Sequence, residues 1–197
     1  MYYEIIIQAF WLILPAYIAN ASALILGGGL PIDFGRKWKD GKRILGEGKT
    51  WRGLLVGTFV GMTAGFGFSV ISKFALNINF PIKISDFTGF PLMIPILFSI
   101  CFGALIGDII ESFFKRRIGK KRGENWIPFD QIDFIIGVLF FSFLMSSFLF
   151  YINLTLENWF LINFTFNHII ILLIFTPFIH LFANYVNNLS KRRNKIN

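Results

Sequence analysis

Residues 87–107 read FTGFPLMIPILFSICFGALIG, an uncharged stretch of 21 residues that ends immediately before Asp108. A helix needs roughly 20 predominantly apolar residues to cross the hydrocarbon core of a bilayer, so this stretch is long enough. Further uncharged stretches of similar or greater length begin at residues 5, 53, 134 and 158. Five such stretches exclude a soluble globule, a disordered tail and a secreted disulfide scaffold. The sequence therefore predicts an all-α, polytopic integral membrane protein.

The uncharged stretches predict five transmembrane helices, which must bury one another and therefore form a single domain over residues 1–197. The second helix carries four glycines at intervals of four residues, a smooth stripe that lets another backbone approach closely. Packing within the chain is the main interpretation of this stripe, and a contact between two chains is the alternative. The predicted spans are about 5–26, 53–73, 91–112, 130–152 and 166–188, and the glycines are Gly53, Gly57, Gly61 and Gly65.

The charges are few but unevenly placed. Only 15% of the residues are charged, yet the formal net charge is +8, and 17 of the 19 Lys and Arg residues lie at 36–52, 115–122 and 191–195. The positive-inside rule places these clusters on the cytoplasmic side of the cell membrane. The N-terminus is then outside, the C-terminus is cytoplasmic, and two basic cytoplasmic loops cover about 28–51 and 113–128. Because membrane topology explains the basic residues, nucleic acid is not an expected partner.

Four acidic residues lie at the predicted cytoplasmic ends of the third and fourth helices. Asp108 and Glu111 are three residues apart and share a helix face, and Asp130 and Asp133 repeat this spacing. Either of the latter two alone could serve as an N-cap or complement the helix dipole. Ionisable groups at membrane depth are costly, and four acids converging from two helices favour a divalent-cation site. Hard oxygen ligands favour one or two Mg²⁺ ions over Zn²⁺.

The first basic loop is rich in glycine and in cations. Its segment Gly46-Glu47-Gly48-Lys49-Thr50 resembles part of a phosphate-binding P-loop, but that motif requires glycine where Arg43 stands, and no strand precedes it. What remains is a segment able to surround phosphates with backbone amides and cations. Binding of anionic lipid is the alternative, although the interleaved acids and glycines favour the phosphate interpretation.

Four further residues within the predicted helices are considered for a role in the site. Asn20 either reaches the same polar layer or serves helix packing. Cys101 is expected to pack as a small apolar side chain. His168 and His180 have no carboxylate partner on their own helix, which favours packing or interfacial roles.

Two blocks of sequence resemble a known family. Residues 111–121 and 130–133 resemble the signature of the phosphatidate cytidylyltransferases, with Arg122 and Gln131 in place of the usual Asp and Arg and without the His-Gly-Gly stretch. Residues 31–35 and 40–53 resemble the archaeal branch, the CDP-archaeol synthases, and the similarity covers most of residues 20–137.

The resemblance implies a Mg²⁺-dependent transfer of CMP from CTP to 2,3-bis-O-geranylgeranylglycerol 1-phosphate, an isoprenoid ether-lipid phosphate, with release of pyrophosphate. The lipid phosphate is the nucleophile and is already ionised, so no general base is required. The implied metal ligands and catalytic acids are Asp108, Asp130 and Asp133, with Glu111 as a further ligand. The implied phosphate-binding cations are Lys42, Arg43, Lys49, Lys115 and Arg116, with Lys49 also catalytic. Asp33 and Asn20 are expected to position the nucleotide or a basic side chain.

Other functions fit parts of the pattern. A CTP-dependent polyprenol kinase would release CDP instead of pyrophosphate, and a phosphatidate cytidylyltransferase would differ only in its lipid. A small cation transporter is the non-enzymatic alternative, and it predicts acids spread across the membrane. The acids instead cluster at one predicted face, which favours an enzyme.

Overall fold

Four long helices follow four of the predicted spans. The structure, a computed structural model, describes residues 2–121, 124 and 126–178. Each of the four helices is long and apolar enough to cross a membrane. Among the described residues there is no β-strand, only two isolated bridges. The all-α membrane architecture is therefore confirmed. The helices are α1 (Tyr2–Leu26), α2 (Trp51–Asn77), α3 (Met93–Arg117) and α4 (Phe129–Tyr151).

The region after α4 holds a short helix that hydropathy did not predict. Helix α5 (Trp159–Asn163) begins after Asn158, whose side chain accepts hydrogen bonds from the amides of Phe160 and Leu161. Helix α6 is described over Phe166–Phe178 and begins where the fifth span was expected. The rest of that expected span, His180 and the basic C-terminal cluster lie outside the described residues.

Helices α1 and α2 pack closely through the predicted glycine stripe. A Cβ placed on Gly61 would lie 2.7 Å from Cβ of Ala19 and 2.8 Å from the carbonyl oxygen of Pro15. It would also lie 2.8 Å from Sγ of the fully buried Cys101 on α3. The stripe therefore serves packing within the chain, as the main interpretation held, and Cys101 packs as expected.

The end of the bundle opposite the basic loops is closed by an extended segment, residues 83–86. Four successive carbonyl groups in this segment each accept a hydrogen bond of 2.7–2.9 Å from a side chain of α1 or α2. Because a backbone carbonyl group packed against helices is costly to leave unpaired, these donors hold the segment in place. The donors are Gln8, Trp11, Ser69 and Ser72.

His168 belongs to this same end of the bundle. It is buried, its Nδ1 lies 2.6 Å from Oγ1 of Thr165, and its Nε2 lies 3.3 Å from Oε1 of Gln8. These contacts join α6 to α1 and agree with a packing role.

Candidate functional site

Three carboxylates from two helices meet at the end of the bundle that carries the basic loops. Asp108 and Glu111 lie on α3, one turn apart, and Asp133 lies on α4. One oxygen from each lies within 4.8 Å of the others. Like charges this close repel, so an arrangement of this kind favours a cation between them. The sequence predicted all three residues as metal ligands, and the structure brings them together.

One oxygen of Glu111 lacks a hydrogen-bond donor among the described residues. Glu111 is 8% exposed, and its Oε1 has no hydrogen-bond partner among the described residues. The nearest cation is the Lys115 ammonium, 3.7 Å away. Because a buried acceptor without a partner is costly, this oxygen is suited to coordinate a metal ion.

Asp130 was also predicted as a metal ligand, but it is bound to a lysine. Both of its oxygens accept hydrogen bonds of 2.9 Å from Lys115, and one also accepts from the backbone amide of Trp126 at 2.8 Å. Asp130 does not belong to the group of three converging carboxylates. Lys115, predicted to contact phosphate, therefore lies between Asp130 and Glu111.

Lys49 connects the first loop to the acids. Its ammonium forms an ion pair and a hydrogen bond with the Asp108 carboxylate. The next residue, Thr50, caps α2: its hydroxyl oxygen accepts hydrogen bonds from the amides of Gly53 and Gly28, at 3.1 and 3.2 Å. The cap fixes where the loop ends and the helix begins, which places Lys49 beside α3.

Asp33 organises the interior of the first loop. Its buried side chain accepts hydrogen bonds from Nε of Arg43 at 3.2 Å and from the amides of Leu45 and Gly35 at 3.0 Å each. Burial opposes ionisation, but these hydrogen bonds outweigh it and hold the pKa of the Asp33 carboxyl below its ordinary value. Arg43 also pairs with Glu47 at 3.0 Å. Both groups are therefore engaged in shaping the loop.

Contacts with Arg117 attach the first loop to the end of α3. The guanidinium binds Asp40 at 2.7 Å and also donates to the carbonyl oxygen of Arg43, while the Lys42 ammonium donates to the Arg117 carbonyl oxygen at 3.1 Å. Sequence reasoning missed Arg117, because its partners are more than 70 residues away and no local spacing reveals them. Lys42 and Arg43 were predicted to bind phosphate, whereas their described contacts are within the protein.

Two cavities meet at the Lys49–Asp108 pair. The first, of about 500 Å³, is mainly apolar and lies between α1, α2, α3 and the first loop. The second, of about 250 Å³, is lined by many charged side chains, including the three converging carboxylates, and is called the polar cavity below. The residues that line the first include Tyr17, Asn20, Ala21, Leu24, Ile32, Lys49, Leu54, Leu105, Asp108 and Ile109. The residues that line the second include Leu45, Glu47, Lys49, Asp108, Glu111, Lys115, Arg116, Asp130 and Asp133.

The predicted site residues differ in which cavity they line. Asn20 lines the apolar cavity, whereas Lys115 and Arg116 line the polar one. Arg116 donates to the carbonyl oxygen of Lys120 at 2.8 Å, which holds its guanidinium at this position. Asp33, Lys42 and Arg43 line neither cavity; their contacts hold the first loop together and attach it to α3.

A solved structure with a similar fold belongs to an enzyme. It is described as an intramembrane enzyme for archaeal membrane lipids biosynthesis. It aligns with a TM-score of 0.66 and 34% sequence identity, over 91% of this chain and 94% of that one. Spanning helices around a charged site at one end of the bundle define the same class here, an intramembrane enzyme.

The sequence comparisons identify the family within this class. A model of the CarS-like family, described as CDP-archaeol synthase, matches residues 2–192. The CDP-archaeol synthase of Thermococcus onnurineus is 42% identical over 180 residues, which are 91% of this chain and 90% of that protein. The one from Methanosarcina barkeri is 40% identical over 184 residues, covering 89% and 95%. The chain belongs to the CDP-archaeol synthase family.

Family membership confirms the activity implied by the resemblance, CTP-dependent cytidylyl transfer in archaeal lipid biosynthesis. It favours this activity over the polyprenol kinase and the cation transporter. The cluster of Asp108, Glu111 and Asp133 is compatible with a bound divalent cation. The four long apolar helices support a multi-pass membrane protein.

Proposed function

We propose that this chain binds CTP in the polar cavity and joins its CMP group to the phosphate of an isoprenoid ether lipid that enters from the apolar cavity. The convergence of three carboxylate oxygens within 4.8 Å, beside the shared Lys49, is the observation that carries this proposal. The two substrates then meet where the two cavities meet.

The acid cluster suits Mg²⁺. Asp108, Glu111 and Asp133 offer three hard oxygen ligands, and Glu111 Oε1 has no competing hydrogen-bond donor among the described residues. Mg²⁺ prefers carboxylates together with water and substrate phosphates as ligands. When bound, the ion would neutralise phosphate charge and favour attack at phosphorus. Asp130 orients Lys115 beside this group.

The cations of the polar cavity match a triphosphate. Lys115 and Arg116 line this cavity, and Lys49 enters it from the first loop. Each can pair with phosphate oxygens, and the pyrophosphate that leaves carries the charge that such cations stabilise. When phosphate is present, Lys49 can exchange its bond to Asp108 for a bond to a phosphate oxygen, which leaves Asp108 to the metal.

The first cavity suits the other substrate. Its walls are mainly aliphatic, with Asn20 as a polar group that can bind the glycerol portion of the lipid. The cavity has room for only part of two long isoprenoid chains, so the remainder extends into the bilayer. The lipid phosphate then lies at Lys49, which lines both cavities.

The reaction needs positioning more than proton transfer. An oxygen of the lipid phosphate forms a bond to the α-phosphorus of CTP, and the bond from that phosphorus to the bridging oxygen of pyrophosphate breaks. The attacking oxygen is already ionised at neutral pH, which agrees with the lack of a catalytic histidine among the described site residues. Lys49, Lys115 and Arg116 hold the two polyanions close despite their mutual repulsion.

Asp33, Lys42 and Arg43 have a supporting role in this proposal. They fix the shape of the first loop and attach it to α3, and thereby position Lys49. The charge distribution supports a cytoplasmic location for this end of the bundle, where CTP is available, with residues 1–197 as one domain.

The products test the proposal. Purified protein is given CTP, Mg²⁺ and either the ether-lipid phosphate or phosphatidate, and the released phosphate species is identified. We expect pyrophosphate and a lipid-soluble CMP product, with the ether lipid preferred. Release of CDP with a phosphorylated lipid would instead establish a kinase, and faster turnover of phosphatidate would contradict the proposed lipid.

A further inference from the structure

The backbones of α3 and α4 touch at the level of the acid cluster. A Cβ placed on Gly107 would lie 2.4 Å from the carbonyl oxygen of Asp133 and 3.2 Å from Cα of Gly137. A Cβ placed on Gly137 would lie 2.1 Å from the carbonyl oxygen of Gly103. Real Cβ atoms essentially never come this close to backbone, so only glycine allows the two helices to approach this far.

This contact is made by the acidic positions themselves. Gly107 immediately precedes Asp108, and the carbonyl group that it touches belongs to Asp133. The separation of the two helices here therefore sets the separation of the two aspartates. Aspartate has a short side chain with few rotamers. If the two helices moved apart, the aspartate side chains could not extend to restore the distance between their carboxylates.

We infer that Gly107 and Gly137 are positioning residues for the reaction: their backbone contact holds Asp108 and Asp133 close enough to share one divalent cation. This inference rests on the proposed metal site. Neither glycine touches substrate, and their effect passes through the distance between the two carboxylates.

The chain contains a matched glycine contact that has no acids. Gly61 on α2 is similarly crowded, because a Cβ placed there would lie 2.7–2.8 Å from atoms of α1 and α3, and no carboxylate is among those atoms. Gly67 on the same helix has open space around it. Alanine is the better helix former at all these positions, so any loss in a variant comes from the contact and not from helix propensity.

The experiment measures metal binding directly. Mn²⁺ serves as the paramagnetic probe, and its bound fraction is followed by electron paramagnetic resonance in detergent micelles. Gly107→Ala is compared with Gly61→Ala as the packing control and Gly67→Ala as the uncrowded control. Gly103→Ala is a second variant at the α3–α4 contact, one turn further from the acids than Gly107, where a Cβ would lie 2.7 Å from the carbonyl oxygen of Gly137. Thermal unfolding of each variant reports on folding.

We expect Gly107→Ala to weaken Mn²⁺ binding about tenfold or more, Gly103→Ala to weaken it less, and both controls to bind like the unaltered chain. If Gly107→Ala does not fold, weaker binding by folded Gly103→Ala than by Gly61→Ala supports the inference. Equal binding by the α3–α4 variants and Gly61→Ala would overturn it, while leaving the metal site intact. Absence of Mn²⁺ binding by the unaltered chain would contradict the metal site and this inference together.

Discussion

The ammonium group of Lys49 binds the carboxylate of Asp108, although the two residues are 59 positions apart in the chain. The first belongs to a loop and the second to a membrane helix, so one ion pair joins the basic loop to the acidic cluster. The same two residues line both cavities. The pair therefore marks the place where a nucleotide phosphate and a lipid phosphate can meet.

Replacing Lys49 tests this placement. Lys49→Met keeps the length and apolar stem of the side chain but removes the charge. We expect turnover to fall roughly 10²–10³-fold, because the variant loses a group that stabilises the charge of the transition state. The measurement is the rate of CMP transfer at saturating CTP and Mg²⁺. Lys39→Met is the matched control, because Lys39 is exposed in the same loop. Equal rates for the two variants would remove Lys49 from the site.

The Lys115–Asp130 pair is expected to be strongly coupled. Both side chains are largely buried. Removing Lys115 leaves Asp130 and Glu111 as neighbouring carboxylates without their shared cation, and removing Asp130 takes away both of the 2.9 Å hydrogen bonds that the Lys115 ammonium donates to it. A double-mutant cycle with Lys115→Ala and Asp130→Ala should give a coupling free energy of unfolding of about 1–3 kcal/mol.

The pair between Arg117 and Asp40 is the comparison for that cycle. It is more exposed, at 35% for the aspartate side chain, and we expect a coupling of at most about 1 kcal/mol. The cycles are measured by denaturant titration in mixed micelles. A coupling for Lys115 and Asp130 no larger than for the exposed pair would contradict the proposed arrangement.

Asp33 gives the loop a defined dependence on pH. Hydrogen bonds from Arg43 and two backbone amides outweigh burial and lower the pKa of the folded Asp33 carboxyl. The stabilisation is therefore complete above the unfolded-state pKa, about 3.9, and is lost as the pH falls through the lower folded-state pKa. At pH 7, Asp33→Asn should lower the free energy of unfolding by about 1–3 kcal/mol.

Thermal unfolding at several pH values checks this prediction. The difference between the unaltered chain and Asp33→Asn should be constant from pH 5 to 8, and it should narrow below about pH 4 as the carboxyl is protonated. A difference that grows as the pH falls would show that the ionised carboxylate does not stabilise the loop.

Hydropathy and residue spacing predicted much of the fold and part of the site. The uncharged stretches placed α1–α4 within a few residues, because long apolar helices leave a strong signal. The three-residue spacing of Asp108 and Glu111 placed them on one helix face. Helix α5 was missed because it has only five residues, too few for a hydropathy signal, and is fixed by the Asn158 cap.

Distinguishing Asp130 from Asp133 required the tertiary structure. Both lie at the start of α4, and which one faces Asp108 depends on how α4 is rotated against α3. That rotation follows from the contact of Gly107 with Gly137, between residues on different helices. Asp33 was expected to position the nucleotide or a basic side chain, and the structure shows it bound to Arg43. The sequence did not identify that partner, since a loop rich in cations does not reveal which of them bind the protein itself.

The most direct test of the proposed mechanism is a Mg²⁺ titration of CMP transfer by Asp133→Asn. Asp86→Asn is the control, because Asp86 is a carboxylate at the opposite end of the bundle, where it accepts a hydrogen bond from the amide of Thr88. We predict that Asp133→Asn loses roughly 10²-fold or more in rate at ordinary Mg²⁺ concentrations, whereas Asp86→Asn stays within about twofold of the unaltered chain. An Asp133→Asn enzyme with an unchanged rate and an unchanged Mg²⁺ dependence would contradict the metal site on which the mechanism depends.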